Sequence, residues 1–220
     1  MTDLQNQSTE LTCPLCANPG PFSQLNGPLG QGCLLCSHCQ LIFVQKAFLP
    51  DPVLEKARYE NHQNGPQYAG YVKFLKQAIT PTLPYLKPGM SGLDYGCGPE
   101  PTLSILLGDE GLICENYDPF FYPHLPQKQY DFVFATEVAE HFFHPGRELT
   151  RIRELLRPGG ILTIMTEKWD NLKNFPDWHY ANDFTHVCFY HARTIFFICD
   201  MFGFEPLLVE NSRVSVLGKI

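Results

Sequence analysis

The stretch Leu93-Asp94-Tyr95-Gly96-Cys97-Gly98-Pro99-Glu100-Pro101 decides the fold. It reads as the end of a buried strand, a tight glycine turn and the first turn of a helix. Gly96 and Gly98 let the backbone bend sharply and leave no side chain between it and a ligand. Pro99 and Pro101 suit a helix start, where a missing N–H costs little. Asp94 stands at the strand tip, where a carboxylate can meet a cationic or hydroxyl-bearing ligand. Units of strand, glycine turn and helix bind nucleotide-like cofactors in open α/β sheets.

Downstream of this turn, strand and helix patterns alternate. A strand at 91–95 leads to the turn and a helix near 102–107. A second strand at 111–117 ends in Asp118-Pro119. A buried strand follows at 130–136, then a helix at 145–156, a turn at Pro158-Gly159-Gly160 and a strand at 161–166. A long loop, 167–190, is rich in Trp, His, Asp and Asn, and it precedes a helix at 191–202. Segments 204–210 and 213–217 close the chain as a strand pair, near enough in sequence for an antiparallel hairpin. Such alternation implies an α/β fold with a largely parallel sheet covered by helices.

Upstream lie a connector and a cysteine cluster. Residues 49–90 read as a helical connector or cap, with apolar positions at 68, 71, 72, 75 and 79 in helical spacing and stops at Pro81, Pro84 and Pro88-Gly89. Its aromatic residues read mainly as core, with Tyr59 and Tyr68 as candidates to cover a cofactor. Residues 1–48 carry five of the nine cysteines. Cys13 and Cys16 form one C-x-x-C pair. Cys36 and Cys39 form another about twenty residues on, a spacing that predicts a zinc ribbon. Each pair makes a tight turn that aims two thiolates at one ion. A pairing of Cys33 with Cys36 would enclose Leu34-Leu35, a poorer turn than Ser37-His38, so Cys33 is left as a spare. Residues 1–10 read as polar and disordered. The remaining cysteines, Cys97, Cys114, Cys188 and Cys199, read as small buried hydrophobes.

The turn excludes two cofactor classes. A nicotinamide fingerprint needs a third glycine where Pro101 stands, and a phosphate-binding P-loop needs a Gly-Lys-Ser/Thr that does not follow. Asp118, twenty residues after Gly98, sits where a carboxylate can accept hydrogen bonds from both hydroxyls of a ribose.

Leu93-Asp94-Tyr95-Gly96-Cys97-Gly98, Tyr117-Asp118-Pro119, Tyr130-Asp131-Phe132-Val133-Phe134 and Leu156-Arg157-Pro158-Gly159-Gly160 resemble, in this order, the motifs of class I S-adenosylmethionine-dependent methyltransferases. The N-terminal ribbon looks like the zinc-binding module found before some of these domains. The resemblance implies a Rossmann-like, mostly parallel seven-stranded sheet with an antiparallel last strand, spanning 91–220. It implies that Asp94, Tyr95, Gly96, Cys97 and Gly98 hold the methionine part of the cofactor. Asp118 and Pro119 would hold the ribose, Phe120 the adenine, and Thr136 and Glu137 the methionine end. Two departures stand out. Glu100 occupies the place of the family's third small residue, and only thirteen residues separate Asp118 from Asp131, so the third strand is expected to be abbreviated.

Methyl transfer from a sulfonium is an in-line displacement that needs alignment and, for an oxygen nucleophile, a base or a metal. In Glu137-Val138-Ala139-Glu140-His141, residues three and four apart share one side of a helical turn. The run resembles the E-x-x-E-H motif of ubiquinone-pathway O-methyltransferases and small-RNA 2′-O-methyltransferases, where it holds a divalent ion. The RNA enzymes add a histidine from a later loop, for which His186 is preferred here over His179. Three readings stand side by side: Glu137, Glu140, His141 and His186 hold Mg²⁺ or another divalent ion; His186 acts directly as a base; or the run only packs. His144 reads as a helix-entry residue, and Arg147, Arg151, Arg153 and Arg157 as a solvated face.

The formal net charge of −7 disfavours a chain built to coat nucleic acid or an anionic membrane. No apolar run reaches a membrane span, and 1–10 lacks a signal peptide's features, so a cytoplasmic protein is expected. The leading expectation is O-methylation of a small metabolite. RNA 2′-O-methylation and a non-enzymatic partner protein that docks through its ribbon are the alternatives.

Overall fold

A computed structural model describes residues 11–61, 64–209 and 212–220. The expectation of disorder at 1–10 lies outside the described residues. Two sheets organise the chain. The smaller contains β1 (Phe22–Asn26), β2 (Gly32–Cys36), β3 (Ile42–Val44) and β8 (Cys188–Phe189), in that order, with every neighbouring pair antiparallel. The larger contains β4 (Ser91–Tyr95), β5 (Ile113–Tyr117), β6 (Tyr130–Thr136), β7 (Leu156–Met165), β9 (Phe204–Leu208) and β10 (Val214–Lys219). Its order is β5-β4-β6-β7-β10-β9. The first four run parallel, and β10 is antiparallel to both β7 and β9.

This is the expected mixed α/β architecture with one strand fewer, six in place of seven. Between Asp118 and Tyr130 the chain forms a short Asp118–Tyr122 bridge and then loop. Pro119, Pro123 and Pro126 interrupt it, and a parallel crossover needs about a dozen residues or more before its strand begins. The expected turn at Pro158-Gly159-Gly160 is taken into β7 as an irregularity: the pairing with β6 jumps from Tyr130–Leu156 to Phe132–Ile161, and Gly159 has φ +73°.

Helices cover both faces of the larger sheet. On one side lie α2 (Ala69–Thr82) and α3 (Thr102–Asp109), which bury Leu75, Ala78, Ile79, Leu103 and Leu107 against Phe132, Phe134 and Val216. α2 continues through Pro81, where the sequence suggested a stop. The ring lies in the last turn, and Thr82 closes the end by donating its hydroxyl to Ala78 O at 2.7 Å while meeting Thr163 Oγ1 at 2.9 Å. On the other side lie α4 (Pro145–Leu155) and α5 (Ala192–Phe202). Their core runs without a break into the cysteine segment, from Ile152 and Ile195 to Leu41, Cys36 and Cys13.

Arg147, Arg151 and Arg157 are exposed, as expected of a solvated face, and Arg153 is half-buried. Arg153 donates to Phe202 O, Arg151 pairs with Glu148, and Arg157 pairs with Asp131. A shorter helix, α1 (Pro52–Glu60), is capped by Asp51, whose carboxylate accepts the Val53 N–H at 2.8 Å. Among the described residues, no helix is long and apolar enough to cross a membrane.

Candidate active site

The carboxyl ends of β4, β5 and β6 open onto a cavity of about 580 Å³, a size suited to a small ligand or cofactor. The glycine turn forms its floor. Gly96 has φ +87°, and a Cβ there would come within 2.3 Å of Val138 Cγ2. The Gly96 and Cys97 N–H groups both donate to Tyr117 O, at 2.7 and 3.1 Å, and the Gly98 N–H donates to Asp118 Oδ2 at 3.1 Å. Asp118 Oδ1 accepts from the Phe120 and Phe121 N–H groups at 2.8 and 3.2 Å. A carboxylate has about four lone-pair sites, so with three taken Asp118 retains about one for a hydroxyl donor.

Asp94 is 2 % exposed, and its Oδ1 has no hydrogen-bond partner. Burial first, and the Asp118 charge second, push its pKa up to about 8. A buried carboxyl with an orphaned oxygen on a cavity wall suits a cationic or donor-bearing ligand. Glu100 is exposed and lies against the 64–65 segment, off the cavity wall. The side chain in the place of the third small residue therefore leaves the cavity free.

Beyond β6 the chain makes a tight non-helical corner. Glu137 has φ +50°, an uncommon conformation for any residue other than glycine, and its N–H donates to Met165 O at 2.7 Å. Its carboxylate accepts Arg213 Nη1 at 2.9 and 3.0 Å and the Tyr180 hydroxyl at 3.3 Å. Burial and the neighbouring Glu140 push Glu137 up, against the Arg213 ion pair. Arg213 also reaches Glu167 and lies over the Phe74 and Tyr180 rings. Thr136 lines the same wall.

Glu140, His141 and His186 converge, with one ligand atom of each within 4.8 Å of the others. Glu137 is not in this cluster. Glu140 is fully buried, and neither of its oxygens has a hydrogen bond of ordinary geometry. His141 Nδ1 lies 2.9 Å from Thr185 O, and His186 Nδ1 lies 2.6 Å from Tyr180 O. A carbonyl only accepts, so both Nδ1 atoms carry the proton and both Nε2 atoms present a lone pair. Burial holds both imidazoles below their ordinary pKa, His186 down to about 3. Two neutral imidazoles and one carboxylate fit a transition ion better than Mg²⁺, which prefers oxygen ligands. His179 is exposed and pairs with Glu167, away from the cluster, and His144 lines the cavity at the entry to α4.

The connector closes over these groups. Tyr59 stands 5.1 Å from the His141 ring and 5.9 Å from Phe120, and its hydroxyl donates to Glu55 Oε1 at 2.8 Å. Tyr71 and Phe74 of α2 form another part of the wall. Tyr68 is at the surface, outside the cavity. Arg58 holds Asp183 through Nε at 3.1 Å and Nη2 at 2.8 Å. Sequence reading missed Glu55, Asp183 and Arg213. Each is a polar residue beside apolar ones, and each acquires its role through a partner more than seventy positions away or through the cavity itself.

A second cluster lies at the N-terminal ribbon. Sulfur atoms of Cys13, Cys16, Cys36 and Cys39 lie within 4.8 Å of one another, with Cys13–Cys39 and Cys16–Cys36 both at 3.6 Å. Tetrahedral thiolate zinc requires sulfurs about 3.8 Å apart, so the cluster is compatible with that ion. Cys33 is buried in β2 outside the cluster, and burial pushes its thiol up to about 12.

A glycine turn and an acid at the tips of adjacent parallel strands, above an open α/β sheet, define a protein that binds a nucleotide-like cofactor. Residues 67–209 match the family described as the methyltransferase domain. The chain belongs to this family and is an S-adenosylmethionine-dependent methyltransferase. No curated protein matches its sequence. Among solved structures it is similar in fold to the 1,6-didemethyltoxoflavin-N1-methyltransferase of Burkholderia thailandensis, determined with 1,6-didemethyltoxoflavin and S-adenosylhomocysteine. That similarity has a TM-score of 0.54 at 15% identity and covers 82% of this chain and 96% of the other. It is also similar to the magnesium protoporphyrin IX methyltransferase of Synechocystis PCC 6803, determined with S-adenosylhomocysteine. There the TM-score is 0.52 at 14% identity, covering 80% of this chain and 98% of the other.

Proposed function

We propose that the protein methylates a hydroxyl oxygen of a small metabolite, with Glu140, His141 and His186 gathered around the reacting hydroxyl. The observation that carries this reading is the convergence of two imidazoles, each donating from Nδ1 to a carbonyl, with a buried carboxylate on the cavity wall. S-adenosylmethionine, when bound, supplies an electrophilic methyl group on a positively charged sulfur. Asp94, with its orphaned oxygen, receives the cationic end of the cofactor. Asp118 accepts from a ribose hydroxyl, and the glycine turn keeps side chains out of the way. Tyr95, Cys97, Pro119, Phe120, Thr136 and Glu137 complete that wall. Tyr59 and the α1 helix shield the site from water. His186 accepts the hydroxyl proton on Nε2, and Tyr180 O holds its ring by accepting from Nδ1–H.

Alternatively, Glu140, His141 and His186 would hold a divalent transition ion, which would lower the acceptor hydroxyl's pKa; the Nε2 of His186 would then be a ligand and not the base. At the ribbon, Cys13, Cys16, Cys36 and Cys39 hold structural zinc. Nine cysteines, all free, suit a reducing compartment such as the cytoplasm. The test is calorimetric binding of S-adenosylmethionine, followed by transfer of its labelled methyl group with and without a chelator. Absence of cofactor binding overturns the reading. Transfer that survives chelation assigns the proton to His186 alone.

A further inference from the structure

Helix α1 is amphipathic in the wrong sense. Val53 and Leu54 are 76 % and 60 % exposed, while Glu55 is 7 % exposed and is the buried residue of the helix. A surface helix ordinarily docks by an apolar stripe, and a buried carboxylate is costly unless a partner meets it. Tyr59, one turn later, gives Glu55 one hydrogen bond, and the side chain lines the cavity. The helix is fastened from outside by Arg58 and Asp183. Its docked face thus delivers a carboxylate to the roof of the site.

That carboxylate joins an acidic wall. Glu55, Asp94, Asp118, Glu137, Glu140 and Glu148 all line the cavity, while Arg151 is its one lysine or arginine among the described residues. Arg151 is taken up by Glu148 and the Tyr95 hydroxyl. Asp94 and Asp118 face the cofactor turn, and Arg213 meets Glu137 from outside the cavity lining. A divalent ion on Glu140, His141 and His186 would neutralise that corner, with Glu55 one ring away across Tyr59.

We propose that the methyl acceptor is a neutral or cationic hydroxyl compound carrying no phosphate or carboxylate, and that Glu55 is the side chain that selects it. This rests on the methyltransferase reading above. A phosphate or carboxylate brought into the cavity meets a wall of acceptor oxygens without a free guanidinium or ammonium to receive it. A hydroxyl or ammonium donor on the acceptor is received by the Glu55 carboxylate. An RNA acceptor, with a phosphate at each nucleotide, is excluded on the same ground.

The test uses the full chain with labelled S-adenosylmethionine. A low-molecular-mass extract of the producing cells is split on ion exchangers into cationic, neutral and anionic pools, with bulk RNA as a fourth. Label is expected in the cationic or neutral pool. With the active pool, Glu55→Gln is expected to raise the acceptor KM about tenfold, the worth of one charge-assisted hydrogen bond. kcat should change less, S-adenosylhomocysteine affinity should stay within about twofold, and Glu55→Asp should restore part of the loss. Label confined to the anionic pool or to RNA overturns the proposal and leaves the transferase reading standing. An unchanged KM in Glu55→Gln removes the role given to Glu55. Cofactor binding with no label in any pool overturns both readings.

Discussion

Val44 donates its backbone N–H to Val187 O at 2.9 Å, and the Val187 N–H donates to Glu140 O at 2.8 Å. One residue thereby joins the last strand of the cysteine ribbon to the backbone of Glu140 in the candidate site, with His186 immediately before it. The ribbon touches the domain elsewhere too. The Gly146 N–H donates to Pro14 O at 3.1 Å, and a Cβ on Gly146 would stand 2.6 Å from Leu15 O.

Loss of the ribbon metal is therefore expected to reach the site. Cys16→Ser should lower zinc content, which is expected near one per chain, and depress Tm by roughly 10 °C, as a loss of about 3 kcal/mol would in a chain of this size. Hydrogen exchange should quicken at 186–189 as well as in the ribbon itself. Quickening limited to 11–48 would show that the two regions are uncoupled.

Cofactor affinity should depend on pH through Asp94. Its folded pKa lies near 8 because of burial and Asp118, while a cationic ligand favours the ionised form. Binding then releases a proton below pH 8, so affinity rises with pH and levels off above it. Calorimetry should find S-adenosylmethionine bound roughly tenfold or more weakly at pH 6 than at pH 8. Asp94→Asn should flatten this dependence and weaken binding at the higher pH.

Asp183 contributes stability with the same pH sense but in a lower window. Burial pushes its pKa up, but the Thr185 hydroxyl and N–H, with His186 and Arg58, bring it down to about 2. A depressed carboxylate stabilises fully above its unfolded pKa of about 3.9, and that contribution is lost as pH falls through the folded value. Asp183→Asn should cost about 2 kcal/mol at pH 7 by urea unfolding. The difference from the unsubstituted chain should shrink between pH 4 and pH 2.

Removing Arg213 leaves Glu137, Glu140 and Glu167 without their shared cation. Arg213→Ala should destabilise by about 2 kcal/mol, less than the full penalty of a deeply buried pair, because Arg213 and Glu137 retain 20% and 26% side-chain exposure. Chemical denaturation measures it directly, and a change below about 0.5 kcal/mol would place the charge balance elsewhere.

Gly96→Ala combines a left-handed backbone with a clash against Val138. It should abolish cofactor binding in calorimetry, with the sheet itself intact by circular dichroism.

The elements that the sequence displays by local chemistry are those it makes legible. The Gly96–Gly98 turn, Asp118 and the paired cysteines are such features, because their residue types and spacings are the mechanism. The turn and the strand tips of β4, β5 and β6 lie where the pattern puts them. Glu137, Glu140 and His141 read as a single face, yet the positive φ at Glu137 turns its carboxylate to Arg213 and leaves Glu140 and His141 to meet His186. That separation depends on a backbone torsion and on a residue seventy-six positions away. Glu55 is hidden for a related reason: nothing local marks an acid as the buried residue of α1, and the tertiary structure buries it while Val53 and Leu54 stay exposed. Proline in α2 misled in the same way, since only its place in the final turn makes it harmless.

The strand missing after Asp118 has a consequence for solubility. β5 becomes the outer edge of the parallel sheet, with Ile113 61% exposed at its start and unpaired peptide groups along one side. An open edge invites a second chain to add to it. Glu115 sits midway along β5, bridged to Lys128 and the Tyr130 hydroxyl, so the loop that replaced the strand lays an ion pair across the edge. Charge there serves as a guard against strand addition, and a Glu115→Val, Lys128→Val double substitution would turn a closed border into a site for self-association.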